Sequence, residues 1–165
     1  KRCQANRKPT VLFGVSFALM DFAEKYALDF PDLIIMETGG MKGQRKELPK
    51  AEMHRRLQES FGVSSIYSEY GMTELSSQLY SIGFGAFVQN IFLSAKIMDI
   101  TDPLSPSAIG KQGVVCLTDL ANIDSCSFIM TEDTGYINSK NQLVLTGRLD
   151  MSEARGCNLL LTEIG

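Results

Sequence analysis

The stretch Ser-Ser-Ile-Tyr-Ser-Glu-Tyr-Gly-Met-Thr-Glu, residues 64–74, decides the fold, because a strand pattern ends there in a glycine-containing turn. We predict a strand at 64–68. The elements predicted before it are, in order, strand 11–17, helix 18–28, strand 33–36 and helix 50–61. Strands that alternate with helices indicate a parallel sheet, and ligands of such sheets bind beyond the carboxyl ends of the strands. The turn at 70–74 lies at such an end.

Tyr-Gly-Met-Thr-Glu, at 70–74, combines side chains that suit ATP. The ring of Tyr70 can stack on adenine, the hydroxyl of Thr73 can bond a phosphate, and Gly71 keeps the turn flexible. The carboxylate of Glu74 can hold Mg²⁺ directly or through water. Further along the chain, Arg148 adds a planar cation that suits phosphate or ribose oxygens. These side chains predict a nucleotide site.

The second half of the chain has a different pattern of residues. Short apolar segments are divided by Asp, Pro, Gly and Asn, and no helix is predicted after about Ser77. The predicted strands are 96–100, 114–120, 127–131 and 142–145. This pattern predicts an antiparallel sheet, either a small barrel or a sandwich. We therefore divide the chain into an α/β portion at 1–78 and a β-rich portion at 79–165, with a mobile loop at 102–113.

Composition narrows the classes of function. The formal net charge of −3 argues against a nucleic-acid binder, which should carry a basic face. No apolar run has the roughly 18–20 residues of a membrane-spanning helix. The four cysteines are widely spaced, which indicates free thiols in a reducing, cytoplasmic compartment. The single histidine, His54, is predicted to be a solvated residue on the charged side of its helix.

Four segments resemble one known superfamily. They are Glu-Thr-Gly-Gly-Met-Lys-Gly at 37–43, Ser-Glu-Tyr-Gly-Met-Thr-Glu-Leu at 68–75, Thr-Glu-Asp-Thr-Gly at 131–135, and Gly-Arg-Leu-Asp at 147–150 with Arg-Gly-Cys-Asn at 155–158. Together they resemble the adenylate-forming superfamily, which includes the acyl-CoA synthetases. The resemblance is closest to acyl-protein synthetases of the LuxE type and to the related phenylacetate-CoA ligases.

The resemblance implies a role for each of these segments. Gly39 and Gly40 would make room beside adenine, on which Tyr70 stacks. Asp133 would bind the ribose hydroxyls. Arg148 would contact the nucleotide, with Asp150 at a hinge. With Thr73 on phosphate and Glu74 on Mg²⁺, the convergence of these groups around one mononucleotide is the central prediction.

The implied reaction has two steps and uses ATP and Mg²⁺. A fatty or other carboxylic acid attacks the α-phosphate of ATP, and pyrophosphate leaves. The acyl-adenylate then passes its acyl group to a thiol. In the LuxE-type interpretation that thiol is an enzyme cysteine, for which Cys157 is the candidate. In a ligase of the phenylacetate type it is CoA. Catalysis of the first step depends mainly on positioning the carboxylate and ATP and on neutralising the charge of the phosphates.

Other interpretations remain open at this stage. The superfamily's phosphate loop, rich in Ser, Thr and Gly, has no counterpart here, so we predict the carboxyl-terminal part of a longer enzyme. Each candidate site residue also has an interpretation without a catalytic or binding role. Tyr70 and Glu74 would then belong to a plain turn, and Asp133 would be a turn carboxylate. Arg148 would form a surface ion pair with Asp150, and Cys157 would be an inert buried thiol. The rival from another class is a non-catalytic interaction module whose exposed apolar surface makes a homo-oligomer.

Overall fold

The computed structural model describes residues 8–26, 28–39, 48–83 and 85–149. The chain forms two compact units, Lys1–Val88 and Gln89–Gly165. The boundary lies after Val88 because the two strands that follow residue 78 continue the sheet of the first unit. Neither helix in the described ranges has the length and apolarity that crossing a membrane requires.

The first unit contains five strands and two helices. They are β1 (Thr10–Val15), α1 (Ser16–Lys25), β2 (Leu33–Thr38), α2 (Lys50–Phe61), β3 (Ile66–Tyr70), β4 (Leu79–Ile82) and β5 (Ala86–Val88). In the sheet β1, β2 and β3 are parallel neighbours, and β4 and β5 follow in antiparallel pairing. The predicted parallel sheet is confirmed for its first three strands. The two predicted helices are also present.

Local sequence explains why α2 begins and ends where it does. Pro49 directly precedes the helix, where the missing amide proton of proline costs nothing. Gly62 ends it in the left-handed conformation, with φ of 67°, which glycine adopts without strain. On its outer side Arg55 Nη1 lies 2.6 Å from Glu59 Oε1, and Arg56 Nε lies 2.7 Å from Glu52 Oε1. Both pairs join residues four apart, which are neighbours across one helical turn.

The core of the first unit lies on one face of its sheet. Apolar side chains from both helices pack there against alternate residues of the strands. The buried members of this core are Leu19, Met20, Leu33, Ile35, Met53, Leu57, Phe61, Val63 and Ile66. Burial of this set fixes the two helices against β1, β2 and β3, so the ends of these strands are held at defined positions.

The second unit is an antiparallel sheet in the spatial order β9, β8, β7, β6. Its strands are β6 (Leu93–Met98), β7 (Gly113–Asp119), β8 (Phe128–Ile137) and β9 (Gln142–Arg148). Each strand pairs with the next one along the chain. The absence of helices from this half was predicted correctly for the described residues.

The predicted small barrel is wrong, because this sheet does not close. A barrel needs its first and last strands to pair, and β6 lies at the end of the strand order, beside β7 alone. The long β8 pairs with β7 over Phe128–Gly135 and with β9 over Asp133–Ile137, so the unit is an open meander. The segment predicted as a mobile loop, 102–113, makes contacts with β6 and the residue after it. The amide of Ser107 donates a hydrogen bond to the carbonyl of Ile97, and Lys111 Nζ lies 2.7 Å from Asp99 Oδ2.

Candidate functional site

The carboxyl ends of the three parallel strands gather the first group of predicted site residues. Gly39 follows β2 and Tyr70 is the last residue of β3, while Ser16, which was not predicted as a site residue, follows β1. Because the strands are parallel neighbours, these ends lie along one edge of the sheet. Thr38 and Glu69 are register partners there, and the Thr38 hydroxyl donates a hydrogen bond to the Glu69 carboxylate.

The turn after β3 presents two of the predicted ligands to solvent. Thr73 and Glu74 are exposed, while Leu75 is buried and donates its amide to the carbonyl of Met72 over 3.1 Å. The buried leucine anchors the turn, so the hydroxyl and the carboxylate beside it stay on the surface. Both are accessible to a ligand that carries phosphates and a metal ion.

Gly71 occupies a place where a side chain would collide. A Cβ at this position would lie 2.6 Å from Glu69 Oε1 and 3.1 Å from Gln78 Cγ. A side chain here would displace the Glu69 carboxylate, whose other oxygen accepts a hydrogen bond from Thr38. Packing at this edge therefore favours glycine in the Tyr-Gly-Met-Thr-Glu segment, in addition to the flexibility expected from the sequence.

The ring of Tyr70 is buried rather than presented as a free platform. Its residue exposure is 9%, and its ring centroid lies 5.7 Å from that of Phe87 at an angle of 49°. Lys50 Nζ lies 5.2 Å from the centroid of the same Phe87 ring. Phe87 therefore supports the tyrosine, and stacking on adenine remains a prediction for the rest of the ring's surface.

The second unit brings two other predicted residues together. Asp133 and Arg148 are register partners across β8 and β9, and Arg148 Nε lies 3.3 Å from Asp133 Oδ1. Arg148 Nη2 also lies 3.1 Å from Glu132 Oε2. The side chains of Arg148 and Glu132 are 70% and 61% exposed, so water weakens that pair, whereas the Asp133 side chain is 19% exposed.

These positions answer one alternative drawn from the sequence. Asp133 lies inside the ten-residue strand β8 rather than in a turn, so the turn-carboxylate interpretation is wrong. The sequence misled because Asp, Thr and Gly follow one another there, and cross-strand pairing overrides their turn preference. Gly40, Asp150 and Cys157 lie outside the described residues, and their predicted roles stay predictions.

Sequence reasoning missed a buried polar cluster under the same edge of the first sheet. Glu37 is fully buried, with Lys50 Nζ at 2.6 Å from its Oε1 and the Ser16 hydroxyl at 2.8 Å from its Oε2. Burial by itself raises its pKa, but the contacts with His54, Lys50 and Ser68 outweigh burial and hold the pKa at about 2. Glu37 is thus an ionised carboxylate inside the fold.

The prediction that His54 is a solvated surface residue is wrong. It is 5% exposed, and its Nε2 lies 3.4 Å from both Glu37 Oε1 and the Ser68 hydroxyl. The signal was present in the sequence, since His54 precedes Leu57 by three residues and Phe61 by seven, which places all three on one helical face. Glu37 likewise shares the period-two face of Leu33 and Ile35.

Ser68, His54 and Glu37 do not form a catalytic triad. In a triad the base uses one ring nitrogen for the nucleophile and the other for the carboxylate. Here the serine and the glutamate approach the same nitrogen, Nε2. All three residues are buried, so a substrate has no access to the serine hydroxyl. The cluster has a structural role beneath the carboxyl-terminal edge of the first sheet, and it supplies no nucleophile.

Metal binding at this edge depends on few protein groups. In the described ranges no three His, Cys, Asp or Glu side chains gather into a group that could hold a metal ion. Mg²⁺ usually keeps several waters and takes one or two carboxylates together with substrate phosphates. A single exposed carboxylate such as Glu74 fits that mode of binding.

Solved structures share this fold. MatB from Rhodopseudomonas palustris with ATP bound matches with a TM-score of 0.66 at 19% identity, over 89% of this chain and 32% of that chain. O-succinylbenzoate coenzyme A synthetase (MenE) from Bacillus subtilis, in complex with ATP and magnesium, matches with a TM-score of 0.64 at 16% identity, over 89% of this chain and 33% of that one. No protein-family model and no curated protein matches the sequence.

The fold is that of adenylate-forming, acyl-CoA synthetase-like enzymes. The chain spans about a third of the length of these structures. At this level of identity the similarity shows the fold alone, and that fold agrees with the architecture that the four sequence segments imply. The closer resemblance to LuxE-type synthetases stays a prediction.

Proposed function

We propose that this chain is the nucleotide-binding, carboxyl-terminal part of an ATP-dependent enzyme that activates a carboxylic acid as its acyl-adenylate. The observation that carries the proposal is the edge of the first sheet. There an aromatic residue, an exposed hydroxyl and an exposed carboxylate follow one parallel strand, in a fold shared with ATP-bound MatB. Edges of this kind are where open α/β sheets bind ligands.

The proposed roles of the side chains are given for each unit by itself. In the first unit, Tyr70 contacts adenine beside Gly39 and Gly40, Thr73 donates a hydrogen bond to phosphate, and Glu74 holds Mg²⁺. In the second unit, the Asp133 carboxylate accepts hydrogen bonds from the ribose hydroxyls, and Arg148 contacts ribose or phosphate.

The ion pair of Arg148 with Asp133 is compatible with this exchange of partners. Because the Arg148 side chain is 70% exposed, the guanidinium can leave Asp133 and turn to a nucleotide. Bound Mg²⁺ would neutralise charge on the departing pyrophosphate. The guanidinium of Arg148 adds a second fixed positive charge near the phosphates, and its planar donors suit their oxygens.

Two acyl acceptors fit the second step. In the acyl-protein synthetase interpretation the thiol is that of Cys157. The likeness to MenE, a coenzyme A synthetase, favours the alternative in which CoA accepts the acyl group. A labelled acyl group that stays on the denatured protein, and is lost in Cys157→Ser, supports the first. Transfer to added CoA with an unlabelled protein supports the second. Either acceptor operates as a free thiol, which suits the cytoplasm.

Titration calorimetry with ATP and Mg²⁺ tests the proposal. We expect binding by the unmodified chain, and its loss in Asp133→Asn and in Arg148→Ala. Arg55→Ala is the matched control, since Arg55 is also an exposed arginine with two carboxylate partners, on a helix that contributes nothing to the proposed site. Asp124→Asn is the control for the carboxylate. Absence of heat at millimolar ATP would contradict the proposal and favour a non-catalytic interaction module.

A further inference from the structure

A buried serine joins the polar cluster of the first unit to the turn that follows β2. Ser16 is 2% exposed and is the first residue of α1. Its hydroxyl lies 2.8 Å from Glu37 Oε2, 2.8 Å from the carbonyl oxygen of Gly39 and 3.4 Å from that of Thr38. One hydroxyl proton is thus shared among acceptors that all belong to the end of β2.

The other carboxylate oxygen of Glu37, Oε1, also has partners inside the fold. Lys50 Nζ donates to Oε1 over 2.6 Å from the first turn of α2, and His54 lies against the same oxygen. His54 also contacts the hydroxyl of Ser68 in β3, two residues before Tyr70. The carboxylate therefore links α1, α2, β2 and β3 at the point where the proposed adenine pocket begins.

The conformation of Gly39 shows why such a link matters. Its φ is 66°, in the left-handed region that glycine adopts without strain but in which it has many alternatives. A turn of this kind needs an external contact to hold one conformation. The contact from Ser16 to the Gly39 carbonyl supplies it, and the ionised Glu37 orients the serine.

We propose that Ser16 and Glu37 are positioning residues that hold the Gly39 turn in the shape that receives the adenine of a nucleotide. The inference rests on the proposed function, since it assigns the turn to the adenine side of that site. The two residues do not touch the ligand. They act through the Gly39 backbone and through the end of β3.

The first part of the test needs no nucleotide. In Ser16→Ala the carbon-13 resonance of the Gly39 carbonyl should move upfield, because that carbonyl loses its donor. Ser60→Ala is the matched control, since the Ser60 hydroxyl also donates over 2.8 Å to a backbone carbonyl, that of Ala23, away from this edge. A Gly39 resonance that stays in place in Ser16→Ala overturns the inference.

The second part measures binding of ATP with Mg²⁺ by the same chains. We expect Ser16→Ala to weaken binding about tenfold, while Ser60→Ala stays within about twofold of the unmodified chain. Glu37→Gln should also weaken binding, because Ser16 loses its charged partner, and an affinity equal to that of the unmodified chain overturns the role assigned to Glu37. Equal affinity in Ser16→Ala and Ser60→Ala, with a shifted resonance, overturns the positioning role while the proposed function stands. Absence of binding by the unmodified chain contradicts the proposed function and the positioning role together.

Discussion

Glu37 illustrates at the scale of one residue how a fold can keep a charge inside. A buried carboxylate is costly unless it has charged and hydrogen-bonding partners. Lys50, Ser16 and His54 supply them, and the pKa of Glu37 is held at about 2, against 4.5 for a free glutamate. Because the folded pKa lies below the unfolded one, the charge stabilises the fold above about pH 4.5, and this stabilisation is lost as pH falls toward 2.

The pH dependence of unfolding therefore carries a prediction for Glu37. The shift of about 2.5 pKa units corresponds to about 3 kcal/mol of unfolding free energy that disappears between pH 4.5 and 2. Glu37→Gln lacks this titration, so the difference in stability between it and the unmodified chain should shrink through that window. Urea unfolding at stepwise pH measures the difference. A gap that is constant from pH 5 to 2.5 would show that Glu37 titrates as an ordinary exposed carboxyl.

Arg148 differs from Glu37, because its own side chain lies in water. With the guanidinium 70% exposed, its pairs with Glu132 and with the partly buried Asp133 are screened on the arginine side and contribute little to folding. We expect the urea midpoint of Arg148→Ala to equal that of the unmodified chain, even though nucleotide binding is lost. A lowered midpoint would mean that the arginine acts through the fold, and the binding result would then need another explanation.

At the scale of elements, the pairing of β8 with β9 positions Asp133 beside Arg148. The register shifts between Thr134 and Gly135, so the strands are bent next to the two site residues. At Gly135 a Cβ would lie 2.5 Å from the carbonyl oxygen of Val144, which is backbone and cannot move aside alone. The glycine is what allows the two strands to approach at this bend.

Gly135→Ala should therefore destabilise the second unit by about 1–3 kcal/mol, the usual cost of overpacking. Gly14→Ala in β1 is the control, because a Cβ there would meet the Leu19 side chain alone, at 3.1 Å, and that side chain can adjust. Urea unfolding of both variants measures the costs. Similar losses in the two variants would show that the close approach of β8 and β9 is not the cause.

Element prediction from the sequence worked where periodicity was strong. The helix at Lys50–Phe61 was predicted to the residue, because Met53, Leu57 and Phe61 repeat at helical spacing and Gly62 ends it. The strand at Phe128–Ile137 was predicted to end at 131, because Asp133 and Gly135 are typical of turns. Pairing on both sides by β7 and β9 satisfies its backbone, and no local pattern reveals that pairing.

At the scale of the whole molecule, both helices described in the first unit pack on one face of its sheet, and no described helix covers the other face. The register places Phe13, Met36, Tyr67 and Ile82 in one row across β1 to β4. Directly paired residues share a face. In this row Phe13 is 58% exposed and Ile82 is 71% exposed, and Val11 beside them is 57% exposed. A contiguous apolar sheet face of this kind is typical of surfaces that associate.

We expect the chain to self-associate through this face as its concentration rises. Lysine at Phe13 and Ile82 together should shift sedimentation toward the monomer, because two charges would have to be buried in the contact. Ile123→Lys is the control, since Ile123 is equally exposed, at 80%, in a turn of the second unit. Association that is insensitive to the paired substitution but abolished in Ile123→Lys would assign the contact to the second unit instead.

The sequence alone was enough to predict the alternation of strands and helices, the Tyr-Gly-Met-Thr-Glu turn at the end of a strand, and the resemblance to enzymes whose fold the chain shares. These follow from short-range rules, since hydrophobic period, caps and turns are set by neighbours within a few residues. Tertiary structure alone decided that Glu37 and His54 are buried together, that Asp133 faces Arg148, and that the second sheet stays open. Each of those features depends on residues far apart in the chain, which come into contact only when the elements pack against one another.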